Sequence, residues 1–160
     1  MLLSILSESG VGPADVCNTC EGKCCKSMPG IAVPDDFLEL TVASVASLLA
    51  SGDWSVDWYE GFYPYDDNVW RDTNGYYLRP ATLDGRGDVM DASEGGQCVF
   101  LRSDGCSFPF DGRPHQCRHL HPSDDMHCKS ERGKHWYATR WGPHRDLLLE
   151  AVRIVEGGVE

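Results

Sequence analysis

The chain has 160 residues, 41% of them hydrophobic, with five Trp, six Tyr and five Phe; that is enough apolar material for one packed core and too short a chain for two ordinary domains. Its 25 acidic residues against 14 Lys and Arg give a formal charge of -11, which repels phosphate backbones and anionic bilayers, so neither nucleic acid nor a membrane is expected as a partner. Eight cysteines in such a chain call for a chemical explanation.

Residues 1–16 read as a short helix or turn. The opening MLLSILSESG has no basic residue before its apolar run, no small-residue cleavage site and too little length to cross a bilayer. A cytoplasmic chain is expected, where thiols stay reduced and clustered cysteines indicate metal or redox chemistry before disulfides. A disulfide-stapled secreted domain is the alternative, and it needs an export signal ahead of this sequence.

Residues 17–25, CNTCEGKCC, place Cys17, Cys20, Cys24 and Cys25 in one short loop. On a helical trace Cys17, Cys20 and Cys24 fall within roughly 60° of arc, giving three convergent sulfurs, while Cys25 points about 100° away. Neighbouring side chains diverge in helix and strand alike, so Cys25 implies a second site or another metal of a polynuclear cluster.

The stretch after the loop predicts a helix beginning at Pro34 with Asp35 or Asp36 and ending before Gly52, with Leu38, Val42, Val45 and Leu49 on its buried face. Residues 53–75 are aromatic and acidic without a sustained period, and the expectation is an irregular cover over the core. The alternative is a cleft floored by Trp54, Trp58, Tyr59 and Trp70, in which segment 54–70 takes a protein partner or a small-molecule substrate. From Gly75 the segments YYLRPATL, QCVFL and CSF predict two or three short antiparallel strands separated by Gly/Asp turns. Asp84, Asp88 and Asp91 do not make a calcium loop, because Val89 stands at the sixth position and no terminal Glu fits. A last helix from about Pro143 carries Leu148, Val152 and Val155 as an apolar stripe and stops at Gly157.

Cys98, Cys106, Cys117 and Cys128 each lie beside a turn or loop signal, as expected where the chain bends to deliver a ligand. Four plus four thiolates satisfy two tetrahedral all-thiolate sites, or hold an iron–sulfur cluster, the 4Fe-4S type included, with sulfurs to spare. Three or four cysteines in one tight run is the habit of iron–sulfur proteins, whereas zinc sites favour two separated pairs; the loop leans to iron, with zinc as the alternative. His115, His119, His121 and His127 surround Cys117 and Cys128; a site of three Cys and one His is an option, although a supporting or surface role is preferred. Arg113 and Arg118 flank Cys117 and are expected to offset thiolate charge at a bound cofactor.

These features resemble the YkgJ-type cysteine-cluster family of zinc- or iron-chelating domains. The resemblance rests on Cys17, Cys20, Cys24 and Cys25, then Cys98, Phe100, Leu101, Gly105 and Cys106, then Arg113, Pro114, Cys117 and Arg118, and spans roughly residues 17–120. It implies metal chelation through those seven cysteines and no defined activity; Cys128 lies beyond the motif and enters as a ligand only by counting thiols. A similar CxxCxxxCC element occurs in flagellin lysine methylases, which supports an iron–sulfur assignment by analogy. The expected molecule is a small single α+β domain, residues 1–160, with a few helices and a short antiparallel sheet organised around a cysteine-ligated metal centre. Its role is structural, redox or metal-handling. The alternative is an iron–sulfur-dependent enzyme, for example one with a methylase-like, protein-modifying activity.

Overall fold

The computed structural model describes residues 26–59, 75–92, 95–103, 105–121, 129–130 and 132–157. Segment 1–16, the cysteine loop 17–25, Trp70, His127 and Cys128 lie outside them.

Helix α1, Val42–Ala50, starts where a capping box reads Thr41-x-x-Ser44. Thr41 Oγ1 accepts from Ser44 N at 3.0 Å and Ser44 Oγ accepts from Thr41 N at 2.9 Å, so two helix-end donors are satisfied reciprocally. The expected start at Pro34 is corrected by about two turns. Pro34–Asp36 is a 3-10 turn instead, closed by Asp36 Oδ2 accepting from Val33 N at 3.0 Å. Leu38 consequently lies outside the helix and is 76% exposed, whereas Val45 and Leu49 are buried as expected.

The segment expected to be irregular begins with a strand. β1, Trp54–Tyr59, pairs antiparallel with β2, Gly75–Pro80, from Trp54 opposite Pro80 to Tyr59 opposite Gly75. Alternation sorts the two faces. Trp54, Val56 and Leu78 enter the apolar core, and Ser55, Asp57, Tyr77 and Arg79 form a second face that is also buried. A segment at Val89 and Asp91 runs along β1, with Val56 N donating to Val89 O at 2.8 Å and Asp91 N to Val56 O at 3.0 Å. Beyond β2, Leu83 N bonds Gln97 O at 2.9 Å and Val99 N bonds Ala81 O at 3.0 Å, and this pairing delivers Cys98.

The rest of the chain contributes short pieces. β3, Leu101–Arg102, and β4, Gly105–Cys106, form a tight hairpin turned by Gly105 at a φ of 117°, a backbone that favours glycine. A one-turn helix α2, His115–Arg118, is followed by β5, Leu120–His121, paired with β6, Lys129–Ser130. Then come α3, Lys134–Trp141, and α4, Arg145–Gly157. α4 matches the expected last helix and packs on α1, with Leu148 and Val152 buried. α3 was not anticipated; it lies on β2 and β1, burying Tyr137, Ala138 and Trp141, and Trp141 Nε1 donates to Ala32 O at 2.7 Å. Among the described residues, three helices of eight or more residues and three two-stranded antiparallel pairings make a small single α+β domain. No helix among them is long and apolar enough to cross a membrane.

The corrected helix start has a direct consequence. Leu38→Glu should change stability by no more than about 0.5 kcal/mol, as for other exposed positions. Leu148→Ala, which opens a cavity in the core, should cost about 2–5 kcal/mol in chemical denaturation.

Candidate metal centre

Three of the eight cysteines fall among the described residues, and none of the three is joined in a disulfide. Cys98 is 7% exposed, while Cys106 and Cys117 are half-buried. Burial pushes the Cys98 thiol up to about 11, and the nearby Cys106 adds to the rise. The Phe100 and Leu101 amides bond back to the Cys98 side chain and act in the opposite direction, as does Arg79. Burial outweighs these donors, so without a metal the Cys98 thiol keeps its proton, while the two amides and Arg79 are placed to stabilise a thiolate there.

Arg79 is the buried cation of this region, and nothing in the sequence singled it out. It is 1% exposed, and its Nε donates to Asp57 Oδ2 at 2.9 Å, its Nη1 to Pro80 O at 3.0 Å and its Nη2 to Asp91 O at 2.8 Å. The two arginines expected to serve the thiolates have other partners. Arg118 pairs with Asp36 Oδ1 at 2.5 Å, and Arg113 donates to Phe108 O at 3.3 Å with its guanidinium over the Phe110 ring. Four sequence neighbours of Cys117, namely Arg113, His115, Arg118 and His119, are thus placed, and His115 and His119 stack with ring centroids 4.0 Å apart. His115 Nδ1 lies 3.1 Å from Tyr137 Oη and His119 Nδ1 lies 2.9 Å from His115 O.

Cys117 sits on α2, whose position is set from far along the chain. Asp36 Oδ2 accepts from His115 N at 2.8 Å, so a carboxylate 79 residues away caps this helix in place of a local side chain, Pro114 having none to offer. Gln116 holds the other side: its N donates to Ile31 O at 3.0 Å and its Oε1 accepts from Ile31 N at 2.9 Å. Gly30 then lies directly against Cys117. A Cβ on Gly30 would overlap Cys117 Sγ and stand 3.2 Å from Cys117 N.

The approach of residues 26–33 to two of the cysteines is the informative geometry. Ser27 follows Cys25 by two positions, and its carbonyl accepts from Gly96 N at 2.9 Å, two positions before Cys98. Gly30 follows Cys25 by five and touches Cys117. The chain leaving the cysteine loop is therefore fixed both to the Cys98 strand and to the Cys117 helix. Among the described residues, no three His, Cys, Asp or Glu side chains are grouped closely enough to hold a metal ion by themselves. A centre built on Cys98, Cys106 or Cys117 would therefore have to draw donors from outside the described residues. The donor chemistry that is described, a buried sulfur with amide partners and a second sulfur seated against a glycine, fits a thiolate-bound metal.

The aromatic cleft loses its first member, because Trp54 is 1% exposed and packs edge-on against Phe37 in the core. Tyr59 at the end of β1 is exposed, and Trp58 is half-buried.

A small α+β scaffold that gathers distant cysteines around the exit of a cysteine-rich loop is a cysteine-cluster metal-binding domain. The family model CxxCxxCC, described as "putative zinc- or iron-chelating domain", matches residues 16–135, and the chain belongs to this family. The match supports binding of zinc or iron. Searches of curated proteins and of solved structures each gave no match.

Proposed function

We propose that the chain holds an iron–sulfur cluster, or zinc or iron ions, through Cys17, Cys20, Cys24 and Cys25 together with Cys98, Cys106 and Cys117, and that this centre ties the fold together in a structural, redox or metal-handling role. Cys128 is the eighth candidate donor. The observation that carries the reading is the double attachment of residues 26–30, through the Ser27 carbonyl to Gly96 and through Gly30 to Cys117. Two segments, 71 and 92 positions beyond Cys25 at Gly96 and Cys117, are thereby held at the loop's exit, as shared ligation requires.

The crowding of four cysteines within nine residues favours iron–sulfur over zinc. In either case the metal supplies cross-linking of distant segments, and iron adds electron transfer. The protein's own part is to place the sulfurs, to shield Cys98 from water and to donate amides to it. The proposed compartment is the cytoplasm, whose reducing poise keeps the thiols available.

The test is elemental analysis and visible absorption of protein purified without oxygen. Iron with acid-labile sulfide and a broad band at roughly 400 nm is expected for a cluster; stoichiometric zinc and a colourless sample would select the zinc form. Cys20→Ser and Cys24→Ser should each lose the metal and unfold at lower temperature, because metal-binding free energy here is folding free energy. Unchanged metal content and stability in both variants would overturn the reading.

A further inference from the structure

Helix α3 and the residues that lead into it reverse the charge of the chain. Residues 129–145 carry Lys129, Arg132, Lys134, Arg140 and Arg145 against Glu131, a net of four positive charges, which leaves fifteen negative charges on the rest of a chain whose total is -11. Part of this charge gathers on one aromatic ring. Trp136 is half-buried, and the Arg132 and Arg140 guanidinium groups lie over its indole with Cζ 5.1 and 5.7 Å from the centroid. Four residues on either side of Trp136 is the spacing that brings side chains onto one helix face. That face is turned to solvent: Arg132, His135 and Arg140 are exposed, whereas Tyr137, Ala138 and Trp141 are buried against the sheet.

Carboxylates do not offset this face. Among the described residues one of them meets its cations, Asp35, which pairs with Arg140 at 3.1 Å; Arg132 and Lys134 have no carboxylate partner there. With 25 acidic residues in the chain, cations left unpaired beside a half-buried indole have the composition of an interface centre, where Trp and Arg are the enriched anchors. The ring also lowers the ordering cost of an encounter. A guanidinium seated on an indole is held in place before a partner arrives, with its forked N–H groups open to an acceptor.

We propose that this face of α3 docks an acidic segment of a partner protein, its carboxylates taken by Arg132, Lys134 and Arg140 and its aliphatic stems laid on Trp136. Charge complementarity names the partner, and the size of the face limits it. Arg132 to Arg140 spans about 12 Å along the helix, room for a few residues of peptide. A nucleic acid strand or a bilayer would run past it onto the acidic remainder of the surface and be repelled. At physiological salt the screening length is about 8 Å, so a short segment feels the cations beside it more than carboxylates farther away. His115 stacks on the same indole with ring centroids 5.3 Å apart, and its helix α2 carries Cys117, so the partner docks beside the candidate metal centre. The inference stands whichever metal that centre holds.

Fluorescence anisotropy of labelled octaglutamate, octaglutamine and a single-stranded oligothymidylate of the same charge, each titrated with the full-length, as-purified protein at physiological salt, tests this. Octaglutamate is expected to bind with a Kd of about 10–300 μM, and the other two are not expected to bind in that range. Arg132→Gln and Arg140→Gln, both at exposed positions that leave the fold intact, should each weaken the binding about three- to tenfold, the range of a charge-assisted contact at a partly exposed site. Arg153→Gln removes the same unit of charge from α4 and should leave it unchanged. No binding of octaglutamate at about 1 mM protein, equal binding of octaglutamine, or equal losses in Arg132→Gln and Arg153→Gln would overturn the proposal. Tighter binding of the oligothymidylate would assign the face to nucleic acid, and self-association abolished by Arg132→Gln would assign it to a second copy of this chain; either result would overturn it as well.

Discussion

Gly30→Ala is expected to strip metal from the protein and to lower its unfolding temperature by about 3–10 °C, although the substitution adds a single methyl group far in sequence from Cys117, the cysteine it meets. The methyl would overlap Cys117 Sγ and press to 3.2 Å from Cys117 N. The sulfur cannot retreat by moving its backbone, because Gln116, its neighbour, is bonded twice to Ile31, the neighbour of Gly30. Overpacking of this kind costs about 1–3 kcal/mol, and a domain of this size loses about 2–4 °C for each kcal/mol. Gly133→Ala is the control, since a Cβ there meets nothing within 4 Å. Metal per chain and thermal unfolding measured on both variants decide the matter: if Gly30→Ala behaves like Gly133→Ala, the seating of Cys117 does not depend on this glycine.

Asp36→Asn should destabilise the fold by about 3–5 kcal/mol, the range for breaking a buried ion pair by removing one partner. Burial pushes the Asp36 carboxyl up, while Val33 N, the Arg118 guanidinium and His115 N draw it down. All the described partners are donors, so the ionised form is the one this geometry holds. An amide in its place would turn its own N–H groups toward donors or surrender one acceptor, and it would leave Arg118 with an uncompensated buried charge. Because His115 begins the helix that carries Cys117, metal retention should fall together with stability. Denaturant midpoints and metal content of Asp36→Asn beside Asp35→Asn, whose side chain is exposed, check this. A cost below about 1 kcal/mol, the level of an exposed pair, would show that the cap is dispensable.

Asp36 also shows how far local reading reaches. As an acidic residue after a proline it was legible as a helix-start signal, yet the helix starts at Thr41. Its carboxylate is taken up by His115 and Arg118, 79 and 82 residues away, and the Thr41/Ser44 capping box provides the competing start. The last helix was legible because its stripe and its terminal glycine are local features, and the hairpin before Cys106 because Gly105 marks the turn. Helix α3 was missed for the opposite reason. Its sequence KHWYATRW mixes aromatic and basic residues with little apolar periodicity, and its stability comes from Tyr137, Ala138 and Trp141 packing on β2 and β1. Strand β1 was hidden likewise, since both of its faces are buried at Ser55, Val56 and Asp57 and the expected polar alternation is absent.

By itself the sequence determined the family with its zinc- or iron-chelating character and the α+β composition, because these follow from residue types at fixed short spacings and from local periodicity. Only the tertiary structure decided that Gly30 and Ser27 join the exit of the cysteine loop to Cys117 and Gly96, that Arg79 is the cation buried near Cys98, and that His115 stacks on Trp136. Each of these is a meeting of side chains or backbone across tens of residues, set by how the strands and helices pack rather than by any pattern along the chain.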